Sequence, residues 1–383
     1  MKPRTVLMFA VIAIVALGLA FTLAGSRRPV AQTPASAILL PGLSESLDSV
    51  NRVRIIGAGD ATLATLERKD DAWSLAERGG YRVDVARLRD LLDALATART
   101  VEAKTANPSL HARLGVEDTA SADAHGVKVE IATPSASHAV IVGDNIGQGT
   151  GTYVRRAAEA QSWQISSDIA VERNPAQWLD KAIVDIAARN VMKVEVEPAN
   201  GKPVRIERIE DDAQSDFRLL DVPKGREAAE GYTRDALAGV LSMLKFEDVF
   251  TAAAEPVPDS AQRATYTLDD GRSVDVRFWD KEGKVFSRFA MHLDEAAARV
   301  ALERRADAMK ASDAKTTEAE TPKGDATTNA APVIDVDAEL AKLREQVERF
   351  GQEHGKWVYV LPAYKASNLR KGFDDYLKPR ASS

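Results

Sequence analysis

The alternation of apolar and polar positions along this chain traces one set of elements twice. In the first pass, residues 52–56 and 62–68 alternate as strands. Lys69-Asp70-Asp71 then forms a turn before Trp73-Ser74-Leu75. Between residues 83 and 98, Leu88, Leu91, Leu92, Leu95 and Ala96 recur at steps of three and four, which predicts an amphipathic helix capped by Asp84. A meander follows, with strands at 126–131, 138–142, 153–156 and 162–165, and a short closing helix is expected over 175–186.

The second pass begins with strands at 193–197, 204–210 and 217–220, followed by a helix over 233–244. Strands at 264–268 and 273–278 form a hairpin around Asp269-Asp270-Gly271, and 285–292 is the next strand. The two passes close alike. Trp163-Gln164-Ile165 leads to Trp178-Leu179-Asp180-Lys181, and Trp357-Val358-Tyr359-Val360 leads to Asp374-Asp375-Tyr376-Leu377-Lys378. The pattern predicts an α+β chain of two tandem related repeats, with antiparallel sheets and amphipathic helices, over 49–188 and 189–380.

Only the second repeat carries an insertion, over 294–355. Its first arm is rich in Ala, Arg and Glu, and its middle, 312–332, has no aromatic residue with which to build a core. Its second arm sets Val336, Leu340, Leu343, Val347 and Phe350 at steps of four and three, an apolar seam about two heptads long. Two readings follow: a helix packed on its own domain, or an arm that docks a partner helix through those five residues.

The N-terminus adds a location. Residues 6–24 contain no charge, and as a helix they would span roughly 28 Å, close to the hydrocarbon thickness of a bilayer. Lys2 and Arg4 precede the run and Arg27 and Arg28 follow it. Residues 1–25 are therefore expected to be a transmembrane anchor, with a cleaved signal peptide as the alternative. Pro29, Pro34 and Pro41 break helix formation beyond it, so 26–48 reads as a flexible tether. The short N-terminal tail favours an inner-membrane, single-pass protein with its body outside.

Net charge is −6, and without the first 28 residues, which hold four bases and no acid, it is −10. An acidic body repels phosphate backbones, which argues against nucleic acid as partner. The absence of cysteine forbids disulfides and thiolate metal sites.

Candidate chemistry is sparse. The glycine-rich 143–151 loop is followed by the strand-like Thr152-Tyr153-Val154-Arg155 rather than by a helix, so it reads as a hairpin connection, not a phosphate loop. His111, His125, His138, His292 and His354 lack metal-ligand spacing. The acid pairs Asp70-Asp71, Asp211-Asp212, Asp269-Asp270 and Asp374-Asp375 fall at turns, where Asp bonds its local backbone. Trp73, Trp163, Trp178 and Trp357 sit where large aromatics fill cores. No catalytic, cofactor-binding or metal residue is assigned, and no cofactor is expected.

Several segments together resemble the DUF4340 family of bacterial, membrane-anchored domains of unknown function. They are Leu40-Pro41-Gly42-Leu43, Thr65-Leu66-Glu67-Arg68 with Trp73, and Glu77-Arg78-Gly79-Gly80-Tyr81 with Val83-Asp84. Arg113-Leu114-Gly115-Val116-Glu117-Asp118, Gly143 with Thr152-Tyr153-Val154-Arg155, Trp163, and Trp178-Leu179-Asp180 complete the set. The resemblance implies an exported α+β body beside ABC-type transport components of the inner membrane, and it transfers no catalytic residue. The expected function is a non-enzymatic binding or scaffolding accessory of the cell envelope. The alternatives are a periplasmic ligand- or glycan-binding module, using a groove between the repeats, and a cryptic hydrolase.

Overall fold

The computed structural model describes residues 37–147, 149–209, 217–319 and 334–379. The expected anchor at 1–25 and most of the tether lie outside them. No helix among the described residues is long and apolar enough to cross a membrane. The fold is mixed α+β with antiparallel sheets. It divides into two compact units, 1–68 with 86–173, and 69–85 with 174–383.

Strands run in chain order as β1 (Arg52–Ile56), β2 (Thr62–Lys69), β3 (Ala72–Leu75), β4 (Tyr81–Arg82), β5 (Thr100–Ala103), β6 (Val127–Ala132), β7 (Ser137–Asn145), β8 (Thr152–Arg156) and β9 (Ser162–Ile165). The second set is β10 (Ala182–Val184), β11 (Val191–Glu197), β12 (Val204–Arg208), β13 (Phe217–Leu219), β14 (Leu244–Lys245), β15 (Asp248–Thr251), β16 (Gln262–Leu268), β17 (Arg272–Lys281), β18 (Lys284–Leu293) and β19 (Trp357–Leu361). The principal helices are α1 (Val85–Thr97), α2 (Gly231–Ala238), α3 (Glu295–Ala319), α4 (Val336–His354) and α5 (Ala363–Leu369).

In the first unit the strand order is β2-β1-β6-β7-β8-β9-β5. Period-two alternation buries Val53 and Ile55 of β1, with Val129 and Ile131 of β6, while Arg54 meets Glu130 at 2.9 Å on the other face. The stripe of α1, Leu88, Leu91, Leu92, Leu95 and Ala96, is buried as its spacing requires.

The second unit repeats that order as β12-β11-β16-β17-β18-β19-β15. Its inner face buries Val194, Val196, Ala264, Tyr266, Val274, Val276, Phe278 and Phe289. Two expected helices differ in detail. Residues 175–186 form a 3-10 turn, Pro175–Trp178, and then strand β10 paired with β14, because Asn174 caps only one turn and Ile183 and Val184 favour extended backbone. The 233–244 helix ends at Ala238, continues as the 3-10 turn Gly239–Leu241, and gives way to β14.

The insertion joins β18 to β19 as the pair α3 and α4. Asp335 caps α4 by accepting from the Asp337 and Ala338 amides. The seam turns inward: Leu340 and Leu343 pack with Ala298 and Leu302 of α3, flanked by Leu293 and Val336. Phe350 is buried against the His354 ring, their centroids 4.5 Å apart, and Val347 is half-buried between these contacts. Gly271, at φ 82, lies under the start of α3, where a Cβ would meet the Ala298 amide nitrogen at 2.4 Å.

The segment 69–85 interrupts the first unit and belongs to the second. There Arg78 forms a two-pronged bridge to Asp248, Nε to Oδ1 at 2.6 Å and an η nitrogen to Oδ2 at 2.9 Å. Gly79 turns at φ 63, and a Cβ there would stand 2.5 Å from the Thr251 methyl. Tyr81, 1% exposed, sits edge-on to Trp357 at 4.8 Å and to Phe246 at 5.3 Å. The Glu77–Tyr81 motif is therefore a strap that completes the aromatic core of the second unit.

Beside Tyr81, His354 Nδ1 lies 2.7 Å from the Tyr359 hydroxyl. Burial, aided by the Arg82 guanidinium, pushes the His354 imidazole down to about 4. Tyr81→Ala is expected to lower the unfolding free energy by roughly 3–5 kcal/mol, measured by urea denaturation. Acid should act through His354. The unfolded chain takes up this proton near pH 6.5 and the folded chain only near 4, so stability is complete above 6.5 and falls toward 4. The loss should reach about 3 kcal/mol, and a His354→Gln variant should lack that component.

Candidate ligand-binding cleft

The outward face of the second unit's sheet carries an unusual row. Strand pairing sets Glu197 opposite Arg263, Arg263 opposite Arg277, and Arg277 opposite Arg288, all on one face of β11, β16, β17 and β18. Like charges in direct cross-strand register repel, and such pairs destabilise a sheet by up to about 1 kcal/mol each. Arg263 is neutralised by Asp275, which also accepts from Thr265 Oγ1 at 2.7 Å and lies 3.4 Å from His292 Nε2. Burial would raise the Asp275 carboxyl, but the hydrogen bonds from Arg263 and Thr265 outweigh it and hold it below the usual carboxylate range. Arg288 donates to the Gly355 carbonyl at 2.6 Å, at the C-terminus of α4, and not to a carboxylate. Arg277 is exposed and, among the described residues, has no hydrogen-bond or ion-pair partner.

These groups line a cleft of about 630 Å³, a size that suits a small molecule. Val257 and Ala261, from the β15–β16 connection, form one side, and Gly351 and Gly355 of the α4 terminus form another. Beyond Val257 and Ala261 the face becomes apolar, with Trp279, Phe286, Val358 and Val360 packed together.

The first unit closes the same row. Its register-equivalent line is Ile56, Lys128, Ile141 and Arg155. Ile141 takes the place of Arg277 and is 1% exposed. The connection 104–126 lies over it. A Cβ at Gly126 would stand 2.2 Å from the Gly115 carbonyl oxygen, and one at Gly143 would stand 2.3 Å from that of Leu114. Arg155 is buried and clamps this cover, with Nε donating to the Val116 carbonyl at 2.8 Å and an η nitrogen meeting Asp118 at 2.5 Å. The 113–118 signature, Gly143 and Arg155 are thus one architectural device. In the second unit the corresponding connection is only 252–261, and the row stays open.

The matches to known proteins fall on this architecture. The profile described as Domain of unknown function (DUF4340) matches residues 73–271, just over half of the chain. The chain belongs to the DUF4340 family. The part matched takes in the strap, the Arg155 clamp and Arg263, while Arg277, Arg288 and the α3–α4 pair follow it. No curated protein and no solved structure matches this DUF4340 chain.

The residues singled out in the sequence do not meet at the cleft. Val336, Leu340, Leu343, Val347 and Phe350 face α3 and the core beneath α4, so the seam serves packing within its own unit. Within the 143–151 stretch, residues 143–145 are the end of β7, and Asn145 pairs with Thr152 of β8 in the hairpin. Asp270 accepts from the Arg272 backbone and guanidinium, Asp269 meets Arg305 at 2.7 Å, and Asp375 accepts from the Gly372 amide. Asp70 and Asp71 occupy positive φ in their turn, and Asp211-Asp212 lie outside the described residues. His111 is buried against the Ala160 carbonyl, and His292 alone of the five borders the cleft, through Asp275. Trp163, Trp178 and Trp357 are buried. Among the described residues no group of three potential metal ligands converges.

Alternation alone does not mark the arginine row, because each arginine occupies an ordinary outward position of its strand. Two tight turns carried the signal. Arg263 and Arg277 are equidistant from Asp270, and Arg277 and Arg288 from the Glu282-Gly283 turn, whose residues have φ of 52° and 76°. Since Arg277 faces like charges, Arg277→Ala should leave the melting temperature of the ligand-free protein unchanged or raise it. Calorimetry checks this, and a clear fall would make Arg277 a structural residue.

Proposed function

We propose that this protein is a non-catalytic accessory of the bacterial cell envelope, tethered to the inner membrane, which works by binding. The observation that carries the reading is the open row Arg263–Arg277–Arg288, whose counterpart in the first unit is covered and sealed. A row left open in one unit and covered in the other suits a division of labour, with one unit as support and the other as binding module. The common strand order supports descent of both from one duplicated α+β unit. The uncharged run at 6–24 and the proline-broken stretch after it support a tether with the body outside. The DUF4340 resemblance supports a place beside ABC-type transport components.

In-cell crosslinking of the full-length chain, followed by detergent extraction, tests the reading. Integral membrane proteins should be recovered with it repeatedly. Recovery of the chain alone, or its appearance in the soluble fraction, would remove the accessory role.

A further inference from the structure

We infer that the cleft on β16, β17 and β18 binds a phosphomonoester, held by Arg277 and Arg288, with its organic substituent against Val257 and Ala261. The inference rests on the binding role proposed above and names the ligand chemistry of that site. Cross-strand neighbours stand about 5 Å apart, so two guanidinium forks can close on one oxyanion. Neither fork is neutralised by a carboxylate, since Arg288 bonds a backbone carbonyl and Arg277 bonds nothing among the described residues. Each fork presents parallel N–H donors that match two oxygens of a planar or tetrahedral anion. A carboxylate brings one charge and two oxygens, which a single fork satisfies. A phosphomonoester brings close to two charges and three terminal oxygens, which the pair satisfies together.

The flanking groups limit where the rest of the ligand lies. Asp275 is occupied by Arg263, Thr265 and His292, and it repels an anion displaced toward that side. Glu197, exposed at the far end of the row, does the same there. The phosphate is thereby confined to Arg277 and Arg288. Val257 and Ala261, both lining the cleft, offer the apolar side on which a hydrocarbon substituent loses contact with water. In the first unit the equivalent of Arg277 is the buried Ile141, and Arg155 is committed to Val116, Glu159 and Asp118. Among the described residues the site therefore occurs once.

Phosphomonoesters occur as soluble metabolites and as lipid headgroups, and one titration series separates these sources. The full-length protein is titrated calorimetrically with phenyl phosphate, benzoate, glycerol 3-phosphate and dihexanoyl phosphatidic acid. Phenyl phosphate should bind with saturation and a stoichiometry of one, and more tightly than benzoate. Arg277→Ala should weaken it by roughly tenfold or more, as loss of a charged hydrogen-bonding partner does. Arg288→Lys, which keeps the charge but removes the fork, should weaken it less. Arg218→Ala, at the exposed position of β13, should leave it unchanged. Tighter binding of the short-chain phosphatidic acid than of glycerol 3-phosphate assigns the site to a lipid headgroup, and equal binding assigns it to a soluble ester. Benzoate binding as tightly as phenyl phosphate, unaltered binding by a folded Arg277→Ala protein, or no saturation at millimolar phenyl phosphate would each overturn the inference. Should these titrations fail while crosslinking still recovers membrane partners, the ligand assignment falls and the accessory role stands.

Discussion

The second unit depends on Tyr81. Its ring lies edge-on among Trp357, Phe246 and Tyr359, aromatic neighbours that come from β19 and from the link between β14 and β15. Arg78 fastens the strap to Asp248 at one end, and Arg82 meets Asp180 at 2.9 Å at the other. Contacts then run outward from this plug. Tyr359 holds His354, His354 ends α4, and the α4 terminus presents the Gly355 carbonyl to Arg288. The cleft is thus anchored to a buried aromatic cluster of its unit, so its arginines stand on a packed base.

The two units show how one sheet serves opposite ends. Each has an outward face with a row of cross-strand side chains at the same register. In the first, Ile141 and a long connection convert that face into interior, and the glycines at 126 and 143 let loop backbone approach the strands. Burying Arg155 there requires that its donors be satisfied, which the carbonyls of Val116, Ala157 and Glu159 and the Asp118 carboxylate accomplish. In the second, the shortened connection leaves Arg277 in water, and the repulsion within the row is partly offset by Asp275. Residual repulsion of that kind lowers stability, and the anion proposed above would relieve it.

The helical insertion belongs to the same account. A seam that suited a partner helix is covered by the arm preceding it, and Arg344 to Glu295 and Arg299 to Asp337 join the two arms at the rim. Exposed ion pairs of this type contribute little energy, so the buried leucines hold the arms together. The insertion's influence on the cleft comes through its last turn, where Gly351 and Gly355 leave the backbone accessible.

Much of the fold was legible in the sequence. Alternation and turn residues marked β1, β6 and β16 as strands, and spacing assigned the α1 stripe. The mixed α+β class with antiparallel sheets followed from the same patterns. These features are local, set by the period of a strand or helix and by turn residues such as Asp270-Gly271. Two things were decided only by tertiary structure. The strap looks like part of the first repeat, because chain order says nothing of which core a tyrosine enters. The arginine row looks like three solvent-facing positions, because period two tells which face a residue occupies but not which residue opposes it. Pairing register and the path of the connecting loops decide that, and they made Arg155 a buried clamp and Arg288 part of an open site.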